Sequence, residues 1–440
     1  MTAISIYNVK SATYGAVGNG TVDDTASIIS AITDSQNNGG GIVYFPVGTY
    51  KTSATLIIPI DGVTLLGAGW NSIIQPASGS LFDVIATTIP ATVGLSGYIR
   101  NFIGVEQLMI DCTNMTGTTS GIGNAIHFYG VRYSYIRDVY IKSSPNWAVI
   151  LDGDNTSPGF NFGYDCQISR CVFDLNAANV WATGSEAHDI VECRFKWAGS
   201  ATAALQPAFA TQDTNAMHLR CSGGYMTIMG NVFGVGGTYT TEAIRLSNSG
   251  PCKVVGNRFD QVRNQAVTMN GGNHIFSNNQ VGSPGSAISG VPGIQIGSSK
   301  NTITGNKFDI TAGAMNANYA IAEAGGPFSD NIIADNNLLT GTSGLISQNA
   351  TSTNKVHHNT GYNPLGFSVS QPSVPASTVA ITNNSGVDCT VHIVGGTVTV
   401  ITVGGTTTGL GASPNTVRVP AGQTIAMTYS AAPTWKWFGD

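Results

Sequence analysis

From about residue 225 to residue 360 one short phrase keeps returning: apolar, any residue, small, Asn, any residue, apolar. It reads Ile228-Met229-Gly230-Asn231-Val232-Phe233, then Val254-Val255-Gly256-Asn257-Arg258-Phe259. Phe276-Ser277-Asn278-Asn279-Gln280-Val281, Ile303-Thr304-Gly305-Asn306-Lys307-Phe308 and Ile333-Ala334-Asp335-Asn336-Asn337-Leu338 follow. The asparagines are 22 to 30 residues apart. Such a period predicts a solenoid, in which each repeat is one coil that buries its apolar face only by stacking on its neighbours. The asparagines are expected to form a hydrogen-bonded ladder lining a turn.

A second column supports this. Short alternating strands recur as Ala125-Ile126-His127-Phe128-Tyr129, Ala148-Val149-Ile150-Leu151-Asp152, Asn179-Val180-Trp181-Ala182-Thr183 and Ala216-Met217-His218-Leu219-Arg220. Ala243-Ile244-Arg245-Leu246-Ser247, Ala266-Val267-Thr268-Met269-Asn270 and Gly293-Ile294-Gln295-Ile296 continue it. Alternation turns the second and fourth residues inward and the third and fifth outward. The two columns together predict an all-β chain, a single-stranded parallel β-helix. Early coils carry extra residues, predicting loops at 111–124, 153–165, 184–188, 198–215 and 234–242. Loops on a rigid scaffold commonly carry function.

The two ends differ from the coils. Asp23-Asp24-Thr25 precedes an apolar 3–4 pattern (Ala26, Ile28, Ile29, Ala31, Ile32), predicting a capped helix of about ten residues that covers the solenoid's open end. Pro364, Pro372 and Pro375 mark a linker. Alternating segments beyond it, such as Val398-Thr399-Val400-Ile401-Thr402-Val403, predict a small antiparallel β domain. Its terminal Trp435-Lys436-Trp437-Phe438 reads as either a local core or an oligomer contact. The expected organisation is a cap with first strands (1–50), β-helix (51–363), linker (364–375) and C-terminal domain (376–440).

Composition narrows the partners. Charged residues are only 10% of the 440, the net charge is −5, and there are 55 glycines. An acidic chain lacks the basic surface that nonspecific nucleic-acid binding needs. No apolar run approaches the ~20 residues of a membrane helix. Neither nucleic acid nor membrane is therefore expected as a partner. Cys171 and Cys193 stand where later coils have Asn, so stacking brings them together, either as two buried thiols or as a disulfide.

Ala12-Thr13-Tyr14-Gly15-Ala16-Val17-Gly18-Asn19-Gly20-Thr21-Val22-Asp23-Asp24-Thr25, with Gly39-Gly40-Gly41-Ile42-Val43-Tyr44-Phe45-Pro46-Val47-Gly48-Thr49-Tyr50, resembles the opening of the pectate-lyase-like right-handed β-helix superfamily. That opening is shared by phage tailspike depolymerases and secreted glycan-active proteins. The resemblance covers roughly residues 5 to 360. It implies a right-handed coil, a homotrimer, a bacterial polysaccharide substrate and a location on a virion tail or outside the cell. It carries over no catalytic residues, because no subfamily motif is legible and fold alone does not assign chemistry.

Candidate chemistry is therefore read from the outward positions. His127 and Tyr129, Asp152, Trp181, His218 and Arg220, and Arg245 form rows up one face beside the long loops. His127, Tyr129, Trp181 and Arg220 suit substrate binding. Hydrolysis requires two carboxyl groups about 5 to 9.5 Å apart, with Asp152, Asp154, Glu186, Asp213 and Glu242 as candidates. Asp213 and Glu242, ahead of strands in adjacent coils, are the first choice. A lyase or epimerase instead needs a base and a cation that neutralises a uronate carboxylate, which His218 with Arg220 and Arg245 would supply. A glycan-binding adhesin or structural spike is the non-enzymatic alternative. Asp152-Gly153-Asp154-Asn155 lacks the Gly and Glu of a calcium-binding EF-hand loop. No cofactor is expected, and calcium has no motif to support it.

Overall fold

The computed structural model describes residues 4–439 except 60, 88–99, 117–121, 154–162, 197, 199–215, 235–240, 248–249, 263, 286–289, 310–315, 361, 363–370 and 386–387. Three long parallel sheets of 13, 11 and 11 strands form a right-handed β-helix, and each coil gives one strand to each sheet in turn. The first sheet begins at Ile6–Asn8 and ends at Thr353–His357. The third sheet carries the second column of alternating strands; it includes Ile126–Tyr129, Trp147–Asp152 and Ala178–Thr183. Beyond the solenoid, a four-stranded and a three-stranded antiparallel sheet make the C-terminal domain. Trp435 and Trp437 lie in its core with Val391, Ile393 and Met427, which selects the local-core reading of that terminus.

The repeated phrase has a distinct physical reason at each place. Its small residue takes a left-handed backbone: φ is 67° at Gly230, 65° at Gly256, 54° at Asn278, 65° at Gly305 and 55° at Asp335. Gly, Asn and Asp tolerate that conformation best. The next residue is the ladder asparagine. Asn231 donates its backbone N–H and its Nδ2 to Asn257 Oδ1 at 2.9 and 3.0 Å. Asn257 repeats this on Asn279, Asn279 on Asn306, Asn306 on Asn336 and Asn336 on Asn359. Two residues on, the side chain turns inward. Phe173, Phe195, Phe233 and Phe259 stack with ring centroids 4.7 to 4.9 Å apart.

A second asparagine ladder, absent from the sequence reading, runs along the opposite edge of the first sheet through Asn301, Asn331 and Asn354. In other coils His188 and His274 fill its place, each accepting a backbone N–H at 3.2 Å from Cys166 and Cys252. Cys171 and Cys193 are buried thiols that donate to backbone carbonyls, so the disulfide is not formed.

The expected helix spans Thr25–Asn37, and buries Ile28, Ala31 and Ile32. Its acidic pair does not cap it in the expected way. Asp24 turns its carboxylate back to accept the N–H groups of Val17 and Gly18, at 2.6 and 3.0 Å, and makes no side-chain cap bond. The spacing of the Ala16-Val17-Gly18 and Asp23-Asp24 segments thus closes a loop. Asp23 holds Thr25 instead.

Asn257→Ala removes the acceptor of two buried Asn231 donors, each worth about 1–3 kcal/mol when left unsatisfied. We expect a loss of roughly 2–4 kcal/mol, seen as a lower midpoint in thermal melts followed by circular dichroism. An unchanged midpoint would remove the ladder's structural role.

Candidate functional site

Strand register decides which side chains share the outer face of the third sheet. Pairing places His127 beside Ile150, then Trp181, Arg220, Arg245, Thr268 and Gln295 on successive coils. Tyr129 stands beside Asp152 and then Thr183. The proposed rows therefore exist, with one correction. Leu219 pairs with Val180 and Ile244, so His218 occupies the corner position of Asn179 and Ala243, two residues from the expected register. Alternation at Met217, Leu219 and Cys221 permits either register, and the wrong one put His218 outside.

His218 is in fact buried. Its ring centroid lies 6.0 Å from those of both Phe195 and Phe233, and its Nδ1 meets Asn179 Nδ2 at 2.7 Å. Burial pushes its pKa down to about 4. It is a core residue and no base for a substrate. Met217 faces outward instead, packed with Trp147, Ile150 and Ala178 against Trp181.

The carboxylate candidates also separate. Asp213 and Asp154 lie outside the described residues. Glu242 is buried and holds Arg245, with Oε2 2.6 Å from Nη2 and 2.9 Å from Nε. Such a two-point pair fixes both side chains, so Glu242 anchors Arg245 and is no solvent-facing acid. Arg220 lies over Trp181, 5.1 Å from the ring centroid. Glu186 is exposed at a corner beside Tyr164.

The densest cluster is at the other end of the row. His127 Nδ1 lies 2.8 Å from Asp83 Oδ2, and Nε2 lies 3.5 Å from Asp152 Oδ2. Asp83 is buried. Its Oδ1 accepts the N–H groups of Gly123 and Asn124 and the Asn124 amide, at 3.1, 3.0 and 2.8 Å. These bonds fix the carboxylate, and the carboxylate fixes the imidazole, so that Nε2 is turned toward Asp152. Tyr129 stacks on the ring at 3.7 Å between centroids. Asp152 is the exposed member, with 36% of its side chain accessible. The next residue must be glycine, since a Cβ on Gly153 would sit 2.0 Å from the Gly184 carbonyl oxygen of the next coil.

Burial alone would lower the pKa of His127. The hydrogen bonds and charges of Asp152 and Asp83 outweigh it and hold the imidazole above its ordinary value. Asp83 was missed in the sequence because it stands 44 residues from His127 in a segment without the repeated phrase. The only available signal was its place ahead of an apolar strand, as Asn124 stands ahead of the next.

Among known proteins, residues 6–146 match the family model described as rhamnogalacturonase A/epimerase, pectate lyase-like. Mannuronan C5-epimerase AlgE4 of Azotobacter vinelandii is 43% identical over 81 residues, which are 17% of this chain and 14% of that protein's length. The tailspike of E. coli bacteriophage HK620, solved as a mutant with a pentasaccharide, superposes with a TM-score of 0.57 at 14% identity, covering 96% of this chain and 89% of that one. DFA-IIIase of Arthrobacter chlorophenolicus, solved with DFA-III, gives 0.54 at 13% identity, covering 80% and 93%. At these identities the two structures bear on the fold alone.

The two histidines have opposite signs of pH linkage. His127, raised in the fold, adds stability that is full below about pH 6.5 and lost as pH rises through its folded value. His218, lowered, adds stability that is present above about pH 6.5 and lost as pH falls toward 4. His127→Gln should therefore narrow the gap in melting temperature from wild type as pH rises from about 6 to about 9. A gap independent of pH would contradict the assigned contacts of His127.

Proposed function

We propose that this chain, a pectate-lyase-like right-handed parallel β-helix, binds a bacterial polysaccharide along the outer face of its third sheet and cleaves it beside His127 and Asp152. The carrying observation is the Asp83–His127–Asp152 arrangement, one buried carboxylate, one fixed imidazole and one exposed carboxylate, at the end of a row that continues through Trp181, Arg220 and Arg245. Asp83 is the positioning residue. Asp152 is the carboxylate that meets the sugar, and His127 shares a proton with it.

Charge favours hydrolysis over elimination. Two carboxylates around one imidazole leave the centre negative even with the ring protonated, which suits the oxocarbenium-like transition state of glycoside hydrolysis; Asp83 is buried, so the second carboxyl group at the scissile bond is supplied from outside this cluster. Elimination or epimerisation needs a cation against the uronate carboxylate. Arg220 and Arg245 stand three and four coils away from His127, about 14 and 19 Å at ~4.8 Å per coil. They fit a distant sugar rather than the reacting one. The tailspike solved with a pentasaccharide shares this fold, and the epimerase relative keeps the uronate reading in the test. Assembly as a homotrimer on a phage virion tail belongs to the same reading. Light scattering should then give three times the 45.6 kDa chain mass.

Asp152→Asn should lower turnover at least ~100-fold, in line with loss of one acid–base group, with the melting curve retained. Turnover is followed by reducing ends, alongside the ultraviolet absorbance of unsaturated uronate, on neutral and acidic bacterial polysaccharides. Reducing ends with flat absorbance are expected. Rising absorbance in the wild type would replace hydrolysis by elimination, and full activity in the variant would remove Asp152.

A further inference from the structure

The corner that follows the third sheet carries a feature that its packing does not explain. In most coils one residue there adopts a left-handed backbone. In later coils the position is held by Asn273 (φ 59°), Lys300 (63°) and Asp330 (60°). In earlier coils it is held by Phe102 (φ 58°), Tyr133 (50°), Asp165 (53°), Ala187 (56°) and Tyr225 (58°). A bulky side chain in this region is a strained choice that persists only where something else requires it. Burial does not require it, since Phe102 is 62% and Tyr133 46% exposed.

These rings are ordered against one another. Phe102 and Tyr133 stack with centroids 5.7 Å apart and planes 22° apart. Tyr133 meets Tyr164 edge-on at 5.5 Å, and Arg132 covers Tyr164 at 4.2 Å. The shelf also has a telling place. The coil of Asp83 bears Phe102, the coil of His127 bears Tyr133, and the coil of Asp152 bears Tyr164. Tyr133 lies four residues beyond Tyr129, and Gly130 between them donates to the Asp152 carbonyl at 2.7 Å. Exposed Phe102 and Tyr133 with half-buried Tyr164 thus span the same three coils as the Asp83–His127–Asp152 cluster and border it along the axis, and a further exposed aromatic, Tyr225, holds the same corner on the coil of Arg220.

We propose that Phe102, Tyr133 and Tyr164 form a second saccharide-binding surface, a shelf on which pyranose rings of the polysaccharide stack beside the cleavage site. The faces of pyranose rings present C–H groups that pack on aromatic faces, while the two tyrosine hydroxyls and Arg132 offer polar partners to sugar hydroxyls. The choice of polysaccharide as occupant rests on the function proposed above and on continuity with that site. A second copy of the chain is the competing occupant.

The test uses the paired substitution Phe102→Asn with Tyr133→Asn, which introduces the residue type that a later coil uses at this corner. It is made in the full chain carrying Asp152→Asn, so that the probe polymer is not degraded. Retention is measured by affinity electrophoresis through gels containing alginate, hyaluronan, dextran or laminarin. The parent chain should be retarded in at least one gel, and the paired substitution should weaken that retention at least tenfold. Its melting temperature should stay equal or rise by ~1–3 °C, because the strain is relieved. Unchanged retention overturns the shelf, as does absence of retention in all four gels. A fall in melting temperature above about 5 °C makes the stack structural, and a fall in mass by light scattering assigns it to contact between copies; either result also overturns the proposal. Failure of the cleavage reading is seen separately, as full turnover by Asp152→Asn alone.

Discussion

In-register stacking of one coil on the next is the constraint on which everything else in this molecule rests. A single coil encloses too little apolar surface to stay folded, and its strands present unpaired N–H and C=O groups along both edges. Parallel pairing satisfies those groups and puts like on like. The phenylalanines meet face to face, and the asparagines pass two hydrogen bonds each to the next coil. Buried amides are tolerable only because each is satisfied by the coil above and below, so the ladder specifies register as well as adding stability.

The same constraint builds the outer face. Because strands stack without slipping, a side chain's neighbours are fixed by its place in the coil and not by its distance along the chain. Asp83 and His127 meet although 44 residues separate them, and Asp152 reaches the opposite side of the ring from the following coil. A rigid sheet also holds Trp181, Arg220 and Arg245 in line with this cluster. Burial of Glu242 serves that order: its carboxylate fixes one arginine beside another on adjacent strands, where two like charges would otherwise repel.

Regular and irregular columns divide the work. Late coils mostly place glycine, asparagine and aspartate at left-handed positions, with Lys300 an exception. Earlier coils place bulky side chains there more often, as at Phe102, Tyr133, Leu175 and Tyr225. Departures from local preference concentrate where a protein binds or reacts, and here two of them, Phe102 and Tyr133, lie on the coils of Asp83 and His127.

The sequence by itself determined the solenoid, two of its periodic columns, the end helix and the outward rows, because periodic burial leaves a periodic record in residue type. It also marked His127, Tyr129, Trp181 and Arg220 as residues of one face. It did not determine register where apolar residues alternate over more positions than the strand needs. Met217, Leu219 and Cys221 allowed two alignments, and only packing against Phe195 and Phe233 turned His218 inward. It gave no sign that Asp83 meets His127, since that contact crosses between coils and has no spacing to reveal it. Nor did it tell that Asp24 would close a loop instead of capping a helix, because one carboxylate near two sets of free N–H groups suits either. Pattern fixes which face a residue shares, and the three-dimensional stacking of coils decides which residue it touches there.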